Sequence, residues 1–160
     1  FSLNKQSDND IKIKCIDLSN RELDFKFNIK EIDNKEKDDN SKVLNYLYEP
    51  NSMILKSGAF GLICDRYNVK KLNTNSHLYT SKKLIDFPGR VFEVESVVNY
   101  SKRNVKDLNI SKANITTRNF PIDVKDIRRK SKILDGGEDY LFFTSNHLNK
   151  QIIIKTKKPH

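Results

Sequence analysis

A chain of 160 residues can bury roughly two-thirds of its unfolded surface, enough for one or two small domains with a core of their own. Only 36% of residues are hydrophobic, 32% are charged, and the net charge is +9. No run of 18 apolar residues occurs, so no membrane span is implied. The charge is uneven: residues 1–80 hold 13 Lys and Arg against 12 Asp and Glu, and residues 81–160 hold 17 against 9. Such asymmetry points to a polyanionic partner, with nucleic acid first, a merely soluble Lys-rich surface second and an acidic membrane surface third.

From the N-terminus, Ile11–Ile16 and Leu23–Ile29 alternate apolar and polar residues, and Asp17-Leu18-Ser19-Asn20 between them has turn chemistry. This predicts a β-hairpin. Residues 33–42 (DNKEKDDNSK) are polar, of mixed charge, and read as a loop or linker. Glu49-Pro50-Asn51 then reads as a turn into a helix, with Pro50 at its start, Asn51 or Ser52 as cap, and a stripe through Met53, Ile54, Ala59, Phe60, Ile63 and Cys64 to about Arg66. Gly58 and Gly61 weaken that helix and suggest a close neighbour. Phe87-Pro88-Gly89 reads as a turn.

From Arg90 the pattern is regular. It predicts a strand to about Val98, a helix from Lys102 to Leu108, a strand from Ala113 to Asn119 and a helix from Pro121 to Lys130 with a basic last turn. A tight turn at Asp135-Gly136-Gly137 follows, then strands at 139–144 and 151–156. The order is β-α-β-α-β-β. The fold class is therefore α+β: an N-terminal β-hairpin and central helix, then a small β-α-β-α-β-β sandwich with its helices on one sheet face.

The chain shows no P-loop, GxGxxG, GxSxG, HExxH or zinc spacing, which leaves it without catalytic, cofactor or metal residues. Asp135, Glu138 and Asp139 could hold Mg²⁺, but a Gly-Gly turn explains them as well. His77, His147 and His160 have no ligand partner at useful spacing. Cys15 and Cys64 sit in apolar surroundings and read as core thiols of a reducing cytoplasm. The stronger signal is basic: Lys102, Arg103 and Lys106 on one helix, Arg118 on a strand, and Arg128, Arg129, Lys130 and Lys132 at the end of the next helix. If both helices pack on one sheet face, their outward sides form one cationic surface able to contact phosphates. Solvated helical faces are the plainer reading of the same residues.

Six segments in order, YLYEPN, LKSGAFGLI, LNTNSHLYTS, DFPGRVFEV, NFPIDVKDIRRK and DGGEDYLFFT, cover about residues 44–145. Together they resemble the C-terminal, THUMP-like region of Bacteroidetes-type class I S-adenosylmethionine-dependent methyltransferases. The resemblance implies a division into a hairpin segment and linker at 1–43 that follows a ferredoxin-like domain lying upstream, a helical connecting region at 44–89 and a THUMP-like α+β domain at 90–158. It also implies an upstream Rossmann-type domain that holds S-adenosylmethionine, and hence no cofactor in this chain. The start at Phe1 rather than Met fits a segment removed from the front. By resemblance the chain is a non-catalytic accessory region whose partners are structured RNA and the upstream methyltransferase domain. The alternative is a scaffold or dimerisation region of an enzyme acting on protein or a small molecule. Tyr48, Glu49, Pro50, Asn51, Lys56 and Gly58 stand at family-like positions, which makes Asn51 and Lys56 candidate interdomain or substrate contacts beside their plain role in starting and packing a helix.

Overall fold

The computed structural model describes residues 11–16, 24–31 and 41–160. A strand with one buried face needs alternating residues, and the two N-terminal runs meet that need. β1 (Lys12–Ile16) and β2 (Asp24–Asn28) pair antiparallel, with Ile13 opposite Phe27 and Cys15 opposite Phe25. A short 3-10 turn, Ile29–Glu31, follows. The turn expected at 17–20 and most of the expected linker lie outside the described residues.

The stretch expected to form one helix opening at Pro50 is built differently. Tyr46–Pro50 is a strand, β3, and Pro50 is its last residue. Lateral pairing is the reason. Tyr46 to Pro50 face Glu93 to Gly89 of the long strand β6 (Gly89–Asn99), while Tyr46 to Tyr48 face Ser81 to Tyr79 of β5 (Tyr79–Ser81). Pairing on both sides overrides the local signal of the proline. Asn51 then caps a short helix, α1 (Ser52–Ser57), its side-chain oxygen accepting from the Ile54 N–H at 3.0 Å. Gly58 ends α1 at φ 70°, a conformation that costs glycine nothing. A second helix, α2 (Phe60–Tyr67), starts after Ala59, and the two-residue β4 (Lys70–Lys71) pairs with β5.

The break reorients the expected apolar stripe. Met53, Ile54, Ala59 and Ile63 reach a core shared with Phe25, Phe27, Tyr48, Tyr79 and Phe87. Phe60 does not; it is half-buried, stacked on the His77 ring at 4.1 Å between centroids with the Lys71 ammonium 5.4 Å from its ring centroid.

The C-terminal half follows the expected order: β6, α3 (Lys102–Asp107), β7 (Lys112–Thr117), α4 (Val124–Ser131), β8 (Leu134–Ser145) and β9 (Gln151–Lys157). One expectation fails. Asp135-Gly136-Gly137 is no turn between elements but a bulge inside β8. Ala113 faces Asp135 while the next residue, Asn114, faces Tyr140, so residues 136–139 are extruded from the ladder. Gly136 and Gly137 take φ of 90° and 86°, and Asn114 Nδ2 donates to the Gly137 carbonyl at 2.9 Å.

β3 to β9 form one seven-stranded sheet in the order β4-β5-β3-β6-β9-β8-β7, antiparallel throughout except for β7 and β8. Period-two alternation divides its residues between two faces. Leu47, Phe92, Phe142, Ile152 and Ile154 share one cluster with Leu72 and Leu78. Leu141, Phe143 and Ile153 face the other way, onto α3 and α4 through Ile127, Ile133, Val105 and Leu108. Both faces are covered, which is why Ile152-Ile153-Ile154 can be apolar without a break. Ile54, fully buried, should cost about 2–5 kcal/mol as Ile54→Ala. Phe60→Ala should cost less despite its larger ring. Urea melts of the two variants check the order, and the reverse order would contradict the placement of Phe60.

Candidate nucleic-acid interface

The basic residues sit where two short helices lie side by side on one sheet face. α3 is capped by Ser101, whose hydroxyl accepts from the Asn104 N–H at 3.0 Å, and α4 by Asp123, whose carboxylate accepts from the Asp126 N–H at 2.7 Å. Lys132 ends α4 at φ 61°, its N–H donating to the Arg128 carbonyl at 2.8 Å. The three basic residues of the last turn suit the negative end of the helix dipole.

Helical spacing then sorts the side chains. Lys102 and Lys106 are one turn apart on α3, and Lys130 lies three residues past the buried Ile127 on α4. Between the helices is a hollow of about 460 Å³. Tyr100, Val105 and Ile127 give it an apolar floor, and Lys102, Lys106, Lys130 and Lys132 form its rim, with Ser131 beside them. Among the described residues no carboxylate lines it. Every ion pair recorded among the described residues lies elsewhere, so the four ammonium groups stand together without neutralising partners.

The other sequence-derived candidates are placed differently. Arg103 is on the outer side of α3, 88% exposed and 3.5 Å from Asp107. Arg129 is paired with Asp126 at 2.9 Å. Arg128 points inward: its guanidinium donates to the carbonyls of Ile133 and Ala113, both at 3.1 Å, and to Asp135 at 2.5 Å. It ties α4 to β7 and β8. Asn51 caps α1, and its Nδ2 is buried without a partner among the described residues. Lys56 is exposed on α1, in the N-terminal half.

Arg118 has a partner that no local pattern announces. Glu49, 3% exposed at the end of β3, accepts from Arg118 Nε at 3.0 Å and Nη2 at 2.5 Å, and from Arg90 Nε at 2.6 Å. Arg90 also makes a close Nη2 contact with it and reaches Thr116 Oγ1. Glu49 and Arg118 are 69 residues apart, so periodicity could not have joined them.

Among the described residues no three His, Cys, Asp or Glu side chains converge. Asp135 is held by Arg128, and Asp139 lies 3.4 Å from Lys155. Hydrogen bonding to Glu95, reinforced by Asp139, raises the pKa of that lysine. The hollow between α3 and α4 does not suit S-adenosylmethionine, whose sulfonium and ammonium would face four lysines and whose ribose would find no carboxylate. A second hollow, of about 450 Å³ around Lys42, Val97, His147 and Lys150, likewise has no acidic lining among the described residues.

The comparisons with known proteins fall on the same two regions. Residues 89–158 match the family model of a THUMP domain-like unit, and residues 46–88 that of a ferredoxin-like domain. The two matches adjoin in the order ferredoxin-like then THUMP-like, and the stretch expected as a helical connector coincides with the ferredoxin-like match. A crystal structure of a putative methyltransferase from Porphyromonas gingivalis W83 superposes with a TM-score of 0.85 at 33% identity. The match covers 93% of this chain and 38% of that one, so the chain spans well under half the length of its solved relative. The resemblance read from the six sequence segments is to the same class. No curated protein matches.

Arg128→Ala removes a donor from two carbonyls and a carboxylate and should cost about 1–3 kcal/mol. Lys130→Ala, on an exposed residue, should stay within about 0.5 kcal/mol. Thermal melts of both check this, and equal losses would contradict the structural role of Arg128.

Proposed function

We propose that this chain is the RNA-binding accessory region of a methyltransferase, and that Lys102, Lys106, Lys130 and Lys132 are its phosphate contacts. One observation carries the reading: four unneutralised lysines on two elements surround a single hollow. Solubility would be served by the same charges scattered and paired. Arg103 and Arg129, exposed on either side, add attraction at longer range but are partly satisfied by Asp107 and Asp126. Arg118 and Arg128 act on the fold and contribute to binding only through it. The likeness to a putative methyltransferase supports a parent enzyme of that kind, with S-adenosylmethionine held by a part of the protein outside these residues.

No described helix is long and apolar enough to cross a membrane. Cys15 and Cys64 form no disulfide, which supports a reducing, cytoplasmic setting.

Each phosphate neutralised by a lysine releases counterions, so binding must weaken with salt in proportion to the contacts made. The variant with Lys102, Lys106, Lys130 and Lys132 all changed to Ala should bind structured RNA with a slope of log affinity against log salt flatter by about 3 units. Its melting temperature should hold, since these are exposed charges. Fluorescence anisotropy over a salt series provides the measurement. Wild-type binding no tighter than that of an equally basic control protein near physiological ionic strength would remove the RNA reading and leave a scaffold for the upstream domain.

A further inference from the structure

We infer that the hollow between α3 and α4 seats an unstacked nucleobase, with the lysines holding the phosphates on either side of it; the protein would then read single-stranded or looped-out RNA rather than the backbone of a duplex. The inference rests on the RNA reading above and sharpens it.

The argument is one of shape and polarity. A duplex offers its phosphates on a convex, solvated ridge. Phosphates gain nothing from an apolar floor and lose hydration by approaching one. Here the cations do not lie along a flat track. Two on α3 and two at the end of α4 surround a depression whose base is Val105, Ile127 and Tyr100. Ile127 is 4% exposed and Tyr100 stands edge-on against Phe120 at 5.0 Å, so packing holds both in place. Its volume of about 460 Å³ falls within the range of sites for small organic ligands. A flat aromatic base with a phosphate at each end matches that pattern: apolar faces against the floor, charge at the rim.

Lysine rather than arginine makes up the rim, which supplies point charges without the bidentate geometry that fixes a base edge. Two neutral polar side chains line the hollow, Tyr100 and Ser131, and the Ser131 Oγ accepts from the Ile133 N–H at 3.3 Å and keeps its proton to donate. The site should therefore hold any base, with a modest preference for one that offers an acceptor there.

The test compares, by anisotropy on the full chain, a hairpin RNA carrying an unpaired loop with a blunt duplex of the same length and charge. The loop should bind about tenfold more tightly, the scale of one stacked base. Val105→Glu, at a half-buried position, puts a carboxylate into the floor and should abolish that preference, while a thermal melt shows that the variant folds. Ser131→Ala, a milder change on the rim, should narrow discrimination among loop bases and leave the salt slope unchanged. Equal affinity for loop and duplex, or a preference that survives in a folded Val105→Glu variant, would overturn the inference while the RNA reading stood. Failure of the wild type to bind either RNA would bring down both.

Discussion

Glu49 is buried at the end of β3 between two arginines that arrive from β6 and from the far edge of the sheet. In a flat sheet β3 and β7 would lie about 19 Å apart, four strand spacings, beyond the reach of a glutamate and an arginine together. The contact therefore requires the sheet to curl until its two halves approach. A carboxylate withdrawn from water costs several kcal/mol unless its lone pairs are met, and here guanidinium N–H groups meet both oxygens. The arginines keep their outer sides in solvent, so the desolvation cost falls mainly on one group. Asn73 does a neutral version of the same work on the inner side. It is 3% exposed, donates to Asn146 O and Asn149 Oδ1, and accepts from Asn119.

That curl makes the ferredoxin-like and THUMP-like regions one body rather than two beads. β3 and β6 are neighbours in the ladder, and Gly89 at the junction lies so close to β3 that a Cβ there would come within 2.1 Å of the Glu49 carbonyl. The Phe92 cluster draws Leu47, Leu72 and Leu78 from one region and Phe142, Ile152 and Ile154 from the other. The opposite face stays divided. α1 and α2 cover Tyr48, α3 and α4 cover Phe143, and Glu93, Glu95, Lys155 and Lys157 form an ion-paired strip on the strands between. On that face the rim between α3 and α4 carries four lysines with no ion pair among the described residues.

Much of this was legible in the chain. Alternation marked the hairpin and β6, the order β-α-β-α-β-β was readable from Arg90 onward, and a basic last turn marked the end of α4. Lys102, Lys106, Lys130 and Lys132 were recognisable as candidates because helical spacing and a basic last turn are local properties. Less was legible between 44 and 89. Pro50 and Asn51 give the same signal at the start of a helix as at the end of a strand followed by a cap, and only the partners on either side of β3 distinguish the two.

What the sequence by itself determined was the class of fold, the uneven charge and the list of cations, because composition, periodicity and caps act within a few residues of one another. Which cations are available was decided by tertiary structure. Arg118 and Arg128 look from their neighbours like surface charges, yet one closes the sheet on Glu49 and the other satisfies two carbonyls of the core. The four lysines, without an ion pair among the described residues, are brought together by the same packing that sets α3 beside α4. A charge becomes a binding group or a structural one according to what it meets across the fold, and partners 69 residues apart in sequence meet only when the sheet has formed.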